Sequence, residues 1–187
     1  MKQRAVFIDR DDTLIACNAV TPDGDLGDAA LVELLPGAFE ACARLKRGGY
    51  FIAVVSNQGG VARGKFTTRE VESVNARLNE LLGGTIDAFR YCPYHPRGVV
   101  AEFAREHPWR KPSPGMILDI AEKNSICLDR SWCVGDAERD VEAGRAAGCR
   151  TIRIGPAEMI ADTSAEFRAA DLPAAAMVIL RESNPPS

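Results

Sequence analysis

The chain has 187 residues, of which 46% are apolar, and its formal net charge is −3 at pH 7. This length and apolar content suit one globular domain, so we interpret residues 1–187 as a single domain. The acidic balance argues against a nucleic-acid-binding protein, which usually carries a basic excess.

Targeting signals are not apparent in the sequence. The opening residues, MKQRAVFIDRDD, turn acidic before a signal peptide could form, and no run is long enough to span a membrane. Six cysteines are spread along the chain without framework spacing, which is typical of free thiols in a reducing compartment. We therefore expect a cytoplasmic protein without a membrane partner, and we expect a monomer.

Apolar runs and helical patterns alternate along the first half of the chain. The runs AVFI (5–8) and FIAVVSN (51–57) are typical of buried strands. The segment 34–49 between them predicts a helix with Pro36 at its first position. Segment 15–33 is polar and remains unassigned.

The alternation continues in the second half. Thr67 and Glu70 have the spacing of a capping box and predict the next helix. A later helix is predicted to begin at Ser113 as its cap. The further strands are predicted at 86–92, 132–136 and 150–155. This order predicts an α/β fold built on a doubly wound parallel sheet.

Acidic residues follow two of the predicted strands. Asp9 and Asp11 are two apart, so in an extended chain they face the same side and repel each other, unless a divalent cation such as Mg²⁺ offsets the repulsion. Asp136 ends the fourth strand, and Asp140 lies one helical turn later. Ligands bind at the carboxyl ends of strands in such sheets.

Groups that suit an anion occur at neighbouring positions. Ser56 and Asn57 end the second strand, and Arg110 and Lys111 precede a helix. Each feature alone has an ordinary interpretation, such as a helix cap, a loop start or a solvated pair. The ordered combination of acids, hydroxyl, amide and ammonium groups indicates phosphoryl transfer.

That combination resembles the haloacid dehalogenase superfamily of phosphatases. The segments that carry the resemblance are DRDDT (9–13), SNQ (56–58), RKP (110–112) and GDAERD (135–140). The chain is most similar to the branch of heptose 1,7-bisphosphate and histidinol-phosphate phosphatases, through SNQGGVARGKFT (56–67), YCPYHP (91–96) and RKPSPGM (110–116). The resemblance spans about residues 4–156 and implies a Rossmann-like fold without a large cap domain.

The resemblance also implies catalytic roles. Asp9 is implied to be the nucleophile that forms an aspartyl-phosphate, and Asp11 the general acid and then base. The implied cofactor, Mg²⁺, binds the Asp9 carboxylate, the Asp11 main-chain carbonyl and the Asp136 carboxylate. Asp140 is implied to orient Lys111 or a metal-bound water.

The substrate contacts come from the same resemblance. The implied phosphate-binding residues are Ser56, Asn57 and Lys111. Arg110 is implied to contact the rest of the substrate or a second phosphate. Arg63 is a further candidate for substrate recognition, with an ordinary surface-loop arginine as the alternative.

The segment 92–110 is interpreted as a substrate-side loop. In the heptose branch a zinc ion usually ties this loop through Cys-x-His and Cys-x-Cys. Here Cys92 is kept, whereas Tyr94, His107 and Trp109 stand at the other ligand positions. Structural zinc requires four ligands, so we predict no zinc, with Cys92 and His107 as remnant positions. We expect the Tyr94 and Trp109 rings to hold the loop instead. The open alternative is a distorted site of Cys92, His95 and His107.

Two further positions depart from the branch. Asp12 stands where the branch usually has Gly, and Ala137 where the heptose enzymes typically have Lys. The first change is expected to leave catalysis intact, and the second to alter or weaken the heptose preference.

The favoured function is a Mg²⁺-dependent phosphatase for a small sugar-phosphate monoester, with heptose 1,7-bisphosphate 7-phosphatase first. The alternatives are a histidinol-phosphate phosphatase, a polynucleotide 3′-phosphatase and a non-catalytic phosphate-binding protein on the same fold. The expected partner is a small phosphorylated metabolite, and the acidic balance disfavours nucleic acid.

Overall fold

A computed structural model describes residues 2–21 and 23–183 of the chain. The strands are β1 (Ala5–Ile8), β2 (Phe51–Asn57), β3 (Ala88–Cys92), β4 (Trp132–Gly135), β5 (Arg150–Ile154) and β6 (Phe167–Ala169). The α-helices are α1 (Ala38–Arg47), α2 (Thr68–Leu81), α3 (Gly115–Lys123), α4 (Glu138–Ala146) and α5 (Leu172–Ser183). Short 3-10 helices cover Ala29–Leu31 and Leu128–Arg130.

The six strands form one parallel sheet in the order β3-β2-β1-β4-β5-β6. The chain winds outward from β1 through β2 to β3, and then outward on the other side from β4 to β6. The direction therefore reverses between β1 and β4, and a crevice opens at the carboxyl ends of these two strands. The predicted doubly wound α/β fold is confirmed.

Side chains of successive strand residues point to opposite faces of the sheet, and each face has its own apolar core. Val6 and Ile8 of β1 belong to the core that is covered by α1, α2 and α5. Ala5 and Phe7 belong to the opposite core, which is covered by α3 and α4. Because both faces are buried, the strands consist of continuous apolar runs.

Two predicted helix starts are wrong. Pro36 precedes α1, whose N-cap is Gly37 in a left-handed conformation (φ 75°). Ser113 also lies outside its helix, because Pro114 is the N-cap of α3. By contrast, the capping box of Thr67 and Glu70 is present at the start of α2 and confirms that prediction.

The last strand and the last helix, β6 and α5, were not predicted from the sequence. Strand β6 pairs with β5, and α5 packs on the same side of the sheet as α1. The three residues of β6 are too few to show a periodicity of two. Within residues 2–21 and 23–183, no helix has the length and apolar character needed to cross a membrane.

Candidate active site

The first and fourth strands bring two acids together at the crevice. Asp9 directly follows β1, and its N–H donates to the carbonyl of Val134 in β4 (2.9 Å). Asp136 directly follows β4. Carboxylate oxygens of Asp9, Asp136 and Asp140 lie within 4.8 Å of one another. Residues that are far apart in the sequence therefore form one acidic cluster at the point where the chain reverses direction.

A buried lysine neutralises part of this cluster. The Lys111 ammonium lies 2.7 Å from Asp9 Oδ1 and 2.6 Å from Asp140 Oδ1, and it donates to the Val55 carbonyl at 2.8 Å. Only 3% of Lys111 is exposed. Burial alone would lower the pKa of Lys111, but the carboxylates of Asp140 and Asp9 raise it above its usual range. Lys111 therefore stays charged beside Asp9.

Asp140 connects this lysine to the start of α4. One carboxylate oxygen faces Lys111, and the other accepts the Ala137 N–H at 3.1 Å. The approach depends on Gly135, because a Cβ there would lie 2.5 Å from the Asp140 side chain. The side chain of Asp140 is thus engaged on both oxygens, which supports its proposed role in orienting Lys111.

Asp136 is left with a free oxygen. Its Oδ1 is buried and has no hydrogen-bond partner in the part of the chain that the structure describes. Burial, followed by the negative charges of Asp9 and Asp140, raises the pKa of Asp136 to about 7. A buried acid without a donor, next to a second carboxylate, fits a divalent cation with oxygen ligands.

This pKa predicts how the stability of the metal-free protein depends on pH. A carboxyl whose folded pKa is raised stabilises the fold at acidic pH, and this contribution is lost as pH rises through about 7. In a chelator, Asp136→Asn should therefore stabilise the protein at about pH 8, by about 1–3 kcal/mol, and hardly at all near pH 4.

Denaturant unfolding of the wild type and of Asp136→Asn at both pH values measures this difference. An equal effect of the substitution at the two pH values would contradict the assignment of the raised pKa to Asp136. In excess Mg²⁺ at about pH 8, Asp136→Asn should instead destabilise the protein. Only the wild type keeps the Asp136 carboxylate, and binding of Mg²⁺ to this group would stabilise its folded state.

Asp11 is held by two donors that sequence reasoning had not assigned. Gln58 Nε2 donates to Asp11 Oδ2 at 2.7 Å, and Arg10 Nε donates to Asp11 Oδ1 at 3.1 Å. Gln58 lies within the SNQ segment and Arg10 within DRDDT, yet neither spacing indicates a partner. Both oxygens of the Asp11 carboxylate are therefore held by side-chain donors.

The side chain of Asn57 pairs with the main chain of Lys111. Asn57 Oδ1 accepts the Lys111 N–H, and Asn57 Nδ2 donates to the Lys111 carbonyl, both at 3.0 Å. These two bonds use Oδ1 and one of the two N–H groups of Nδ2. Asn57 therefore fixes the main chain at Lys111, and its phosphate-binding role remains a prediction. Ser56 is also buried and accepts a hydrogen bond from Gln58 at 3.2 Å.

The unusual Asp12 has a conformational explanation. Its φ is 54°, in the left-handed region that Gly adopts most readily and that Asp tolerates. Its Oδ1 accepts the N–H groups of Cys17 (2.9 Å) and Asn18 (3.1 Å). Asp12 therefore replaces Gly at modest cost and orders the turn that follows it.

Cationic groups converge at Gly59, in the loop after β2. A Cβ at Gly59 would lie 2.9 Å from Arg63 Nη1, 3.3 Å from His95 Cδ2 and 3.4 Å from Arg110 Nη1. Burial and then the nearby charges of Arg63 and Arg139 lower the pKa of Arg110. This concentration of positive charge is suited to an anion, and Arg139 was not among the residues singled out from the sequence.

Arg63 is partly committed to a neighbouring loop. Its guanidinium pairs with Asp25 through Nε (3.1 Å) and Nη2, while Nη1 is directed at Gly59. Arg63 therefore joins segment 15–33 to the loop after β2, and its role in substrate recognition remains a prediction.

Aromatic stacking organises the loop of residues 92–110. The rings of Tyr94 and His107 stack with centroids 4.1 Å apart, and Trp109 meets His107 edge-on at 5.5 Å. The guanidinium of Arg105 lies 4.5 Å from the Tyr94 ring centre. His107 thus lies between the rings of Tyr94 and Trp109 and contacts both.

The possible zinc ligands are engaged in other contacts. His107 Nδ1 accepts the Trp109 N–H, and His95 Nδ1 accepts the Arg97 N–H, both at 3.1 Å. Within the described residues, Cys92, His95 and His107 do not form a cluster with ligand atoms close enough to share an ion. The absence of zinc remains a prediction.

Removing the stack should loosen the loop. Tyr94→Ala is expected to lower the free energy of unfolding by about 1–2 kcal/mol, because it removes ring burial and the stack on His107. Tyr94→Phe retains the ring and should match the wild type within about 0.5 kcal/mol.

Protein purified without chelator should contain far less than one zinc per chain. Near-stoichiometric zinc that is lost on Cys92→Ser would overturn this interpretation of the loop.

The chain is similar to curated and structurally characterised phosphatases. Residues 108–172 match the HAD-hydrolase-like family. The D-glycero-β-D-manno-heptose-1,7-bisphosphate 7-phosphatase of Rhodopseudomonas palustris is 37% identical over 79% of the chain and 81% of the relative. The enzyme of that name from Salmonella typhi is 34% identical over 91% of the chain and 94% of the relative.

A solved structure agrees with these relatives. The D,D-heptose 1,7-bisphosphate phosphatase of B. bronchiseptica, complexed with magnesium and phosphate, superimposes with a TM-score of 0.79 at 28% identity. The alignment covers 96% of this chain and 99% of that one.

Proposed function

Because the chain belongs to the haloacid dehalogenase-like phosphatases, in the family of its heptose-bisphosphate relatives, we propose that it hydrolyses the 7-phosphate of D-glycero-β-D-manno-heptose 1,7-bisphosphate. It is a phosphoric monoester hydrolase by membership of this family. The observation that carries the proposal is the buried Lys111, which bridges Asp9 and Asp140 beside Asp136 Oδ1, an oxygen without a hydrogen-bond partner among residues 2–21 and 23–183.

The proposed reaction runs in two steps on Asp9. A carboxylate oxygen of Asp9 attacks phosphorus, the ester P–O bond breaks, and the leaving oxygen takes a proton from Asp11 in its acid form. Asp11 then accepts a proton from water as the water oxygen attacks the phosphorus of the aspartyl-phosphate. Phosphate leaves, and the Asp9 carboxylate is restored. Lys111 and Ser56 are proposed to hold the phosphoryl oxygens.

The Asp9 and Asp136 carboxylates are proposed to hold Mg²⁺, with the main-chain carbonyl of Asp11 as a further ligand. The free oxygen of Asp136 and the raised pKa of this group support the proposal. The bound ion supplies positive charge that offsets the repulsion between Asp9 and an anionic phosphate.

The second phosphate of the substrate is proposed to lie against Arg110 and Arg63 near Gly59. The Nη1 atoms of both guanidinium groups lie within 3.4 Å of where a Cβ of this glycine would be, and Arg110 Nη1 is positioned by its bond to the Tyr94 carbonyl (3.3 Å). Guanidinium forks suit phosphate recognition.

Replacing Arg110 should affect the 1,7-bisphosphate and the 7-monophosphate to different extents. Arg110→Ala is expected to raise KM for the 1,7-bisphosphate by about 10–100-fold, with a much smaller effect on the 7-monophosphate, because a charge-assisted contact to the other phosphate is lost. Arg97→Ala, on an exposed residue of the same loop, is the matched control and should change neither substrate. Equal losses on both substrates would contradict a second-phosphate site at Arg110.

A hydrolysis screen tests the substrate itself. Heptose 1,7-bisphosphate, histidinol phosphate and a 3′-phosphorylated oligonucleotide should be compared by kcat/KM under excess Mg²⁺. We expect the heptose bisphosphate to be preferred. A preference for either competitor would overturn the proposed substrate and leave the phosphatase assignment intact.

A further inference from the structure

Arg10 is a charged residue with no contact to solvent. It lies between Asp9 and Asp11 in sequence, and its relative exposure is 0%. Arginine is almost never fully buried unless it is paired, because removing its charge from water costs several kcal/mol. Arg10 also does not belong to the phosphate-binding groups proposed above, so its burial requires another explanation.

The partners of Arg10 come from three parts of the chain. Its Nε and Nη2 both lie 3.1 Å from Asp11 Oδ1. Its Nη1 donates to Asn75 Oδ1 in α2 at 3.2 Å, and Nη2 donates to the Leu26 carbonyl at 3.3 Å. Asn75 is buried as well. The guanidinium is thus hydrogen-bonded to α2 and to segment 15–33, and it also pairs with Asp11.

The carboxylate of Asp11 is consequently fixed at both oxygens. Arg10 holds Oδ1, and Gln58 donates to Oδ2 at 2.7 Å. Gln58 is itself fixed, because its main-chain N–H donates to the Cys92 carbonyl at 2.8 Å. The rate of proton transfer falls steeply when donor and acceptor are misplaced, because the acid must lie within hydrogen-bond distance of the reacting oxygen.

We infer that Arg10 is a positioning residue, which fixes Asp11 for proton transfer to the leaving oxygen by tying it to Asn75 and to the Leu26 carbonyl. The inference rests on the proposed role of Asp11 in the reaction. The competing explanation is that Arg10 and Asp11 are only a structural ion pair. Its loss would lower the amount of folded protein, and the activity on every substrate would then fall by the same factor.

Leaving groups distinguish the two explanations. An alkoxide leaves phosphorus only with a proton from Asp11, whereas 4-nitrophenolate is stable enough to leave as the anion. The ratio kcat/KM reports the steps up to loss of the leaving group, before the aspartyl-phosphate is hydrolysed. A misplaced Asp11 therefore lowers kcat/KM for an alkyl phosphate and spares it for 4-nitrophenyl phosphate.

For Arg10→Met we expect kcat/KM to fall by about 10²–10³-fold with heptose 1,7-bisphosphate and by less than about 5-fold with 4-nitrophenyl phosphate. The aryl ester should also give a burst of nitrophenolate, because Asp11 is still needed as the base for hydrolysis of the aspartyl-phosphate. Arg10→Lys should recover part of the alkyl rate, since an ammonium retains the charge but cannot span all partners.

A second variant keeps the test decisive if Arg10→Met does not fold. Asn75→Leu removes only the hydrogen bond between Asn75 and Arg10. It should lower the ratio of kcat/KM for the alkyl phosphate to kcat/KM for the aryl phosphate by about 3–10-fold. Leu78→Ala is the matched control. It lies one turn later in α2, is equally buried and has no bond to Arg10, so it should reduce stability without changing the ratio.

The outcomes separate the inference from the proposed function. If the wild type hydrolyses none of several alkyl phosphates, the proposed function is wrong. If it does, and the folded Arg10 or Asn75 variants lose activity equally on both ester types or on neither, the positioning role of Arg10 is wrong. A selective loss on the alkyl esters supports it.

Discussion

Asp9→Asn should fold normally and lose turnover by at least about 10⁴-fold, because an amide cannot attack phosphorus and no other carboxylate occupies its position. The fold should persist, since Lys111 keeps its contacts to Asp140 (2.6 Å) and to the Val55 carbonyl (2.8 Å). Circular dichroism and denaturant unfolding check the fold, and phosphate release under excess Mg²⁺ measures the loss.

The covalent intermediate provides an independent readout. Rapid quenching of the wild type with a poor substrate should trap one phosphoryl group on Asp9, and the Asn variant should trap none. Asp162→Asn is the matched control, because Asp162 is exposed and distant in sequence from the site, and it should behave as the wild type. Turnover of Asp9→Asn within about tenfold of the wild type would refute the nucleophile assignment.

Asp136→Asn should raise the Mg²⁺ concentration needed for half-maximal activity by about 100-fold, because a charged ligand is lost from a cation site. The structural basis is the buried Oδ1, which lacks a partner among the described residues. Titration of activity with Mg²⁺ after chelator treatment gives the concentration directly. The effect should be larger for apparent metal affinity than for the rate at saturating Mg²⁺.

The control for this titration lies on the same helix. Glu142 of α4 is exposed, so Glu142→Gln removes the same charge without touching the crevice and should leave the Mg²⁺ requirement unchanged. If Asp136→Asn and Glu142→Gln respond alike, the Mg²⁺ site is not at Asp136. Full wild-type activity in excess chelator would refute the metal requirement altogether.

The positions of Asp9 and Asp136 could be predicted from the sequence because they depend on local pattern. Continuous apolar runs identify the parallel strands, and an acid directly after a strand must lie at its carboxyl end. The resemblance of four short segments to known phosphatases added chemical roles to these positions. The capping box of Thr67 and Glu70 was predictable for the same reason, since both partners lie within one helical turn.

Contacts between distant residues could not be predicted in this way. Arg10 and Asn75 are 65 positions apart, and Asn57 pairs with Lys111 across 54 positions. Neither spacing has a period that a pattern can reveal. These contacts follow from how α2 and the loops pack on the sheet, so Gln58 and Arg10 received no role from the sequence, and the pairing of Asn57 with Lys111 was not anticipated.

For the loop of residues 92–110, the sequence and the tertiary structure likewise decide different things. The sequence alone determined that four zinc ligands are not available at the family's positions, because residue identity decides ligand chemistry. The tertiary structure decided what the substituted residues do, since Tyr94 and His107 stack only when the loop folds back on itself. Residue types thus fix which bonds are possible, whereas the bonds that form depend on which side chains the packed core brings within a few ångströms of each other.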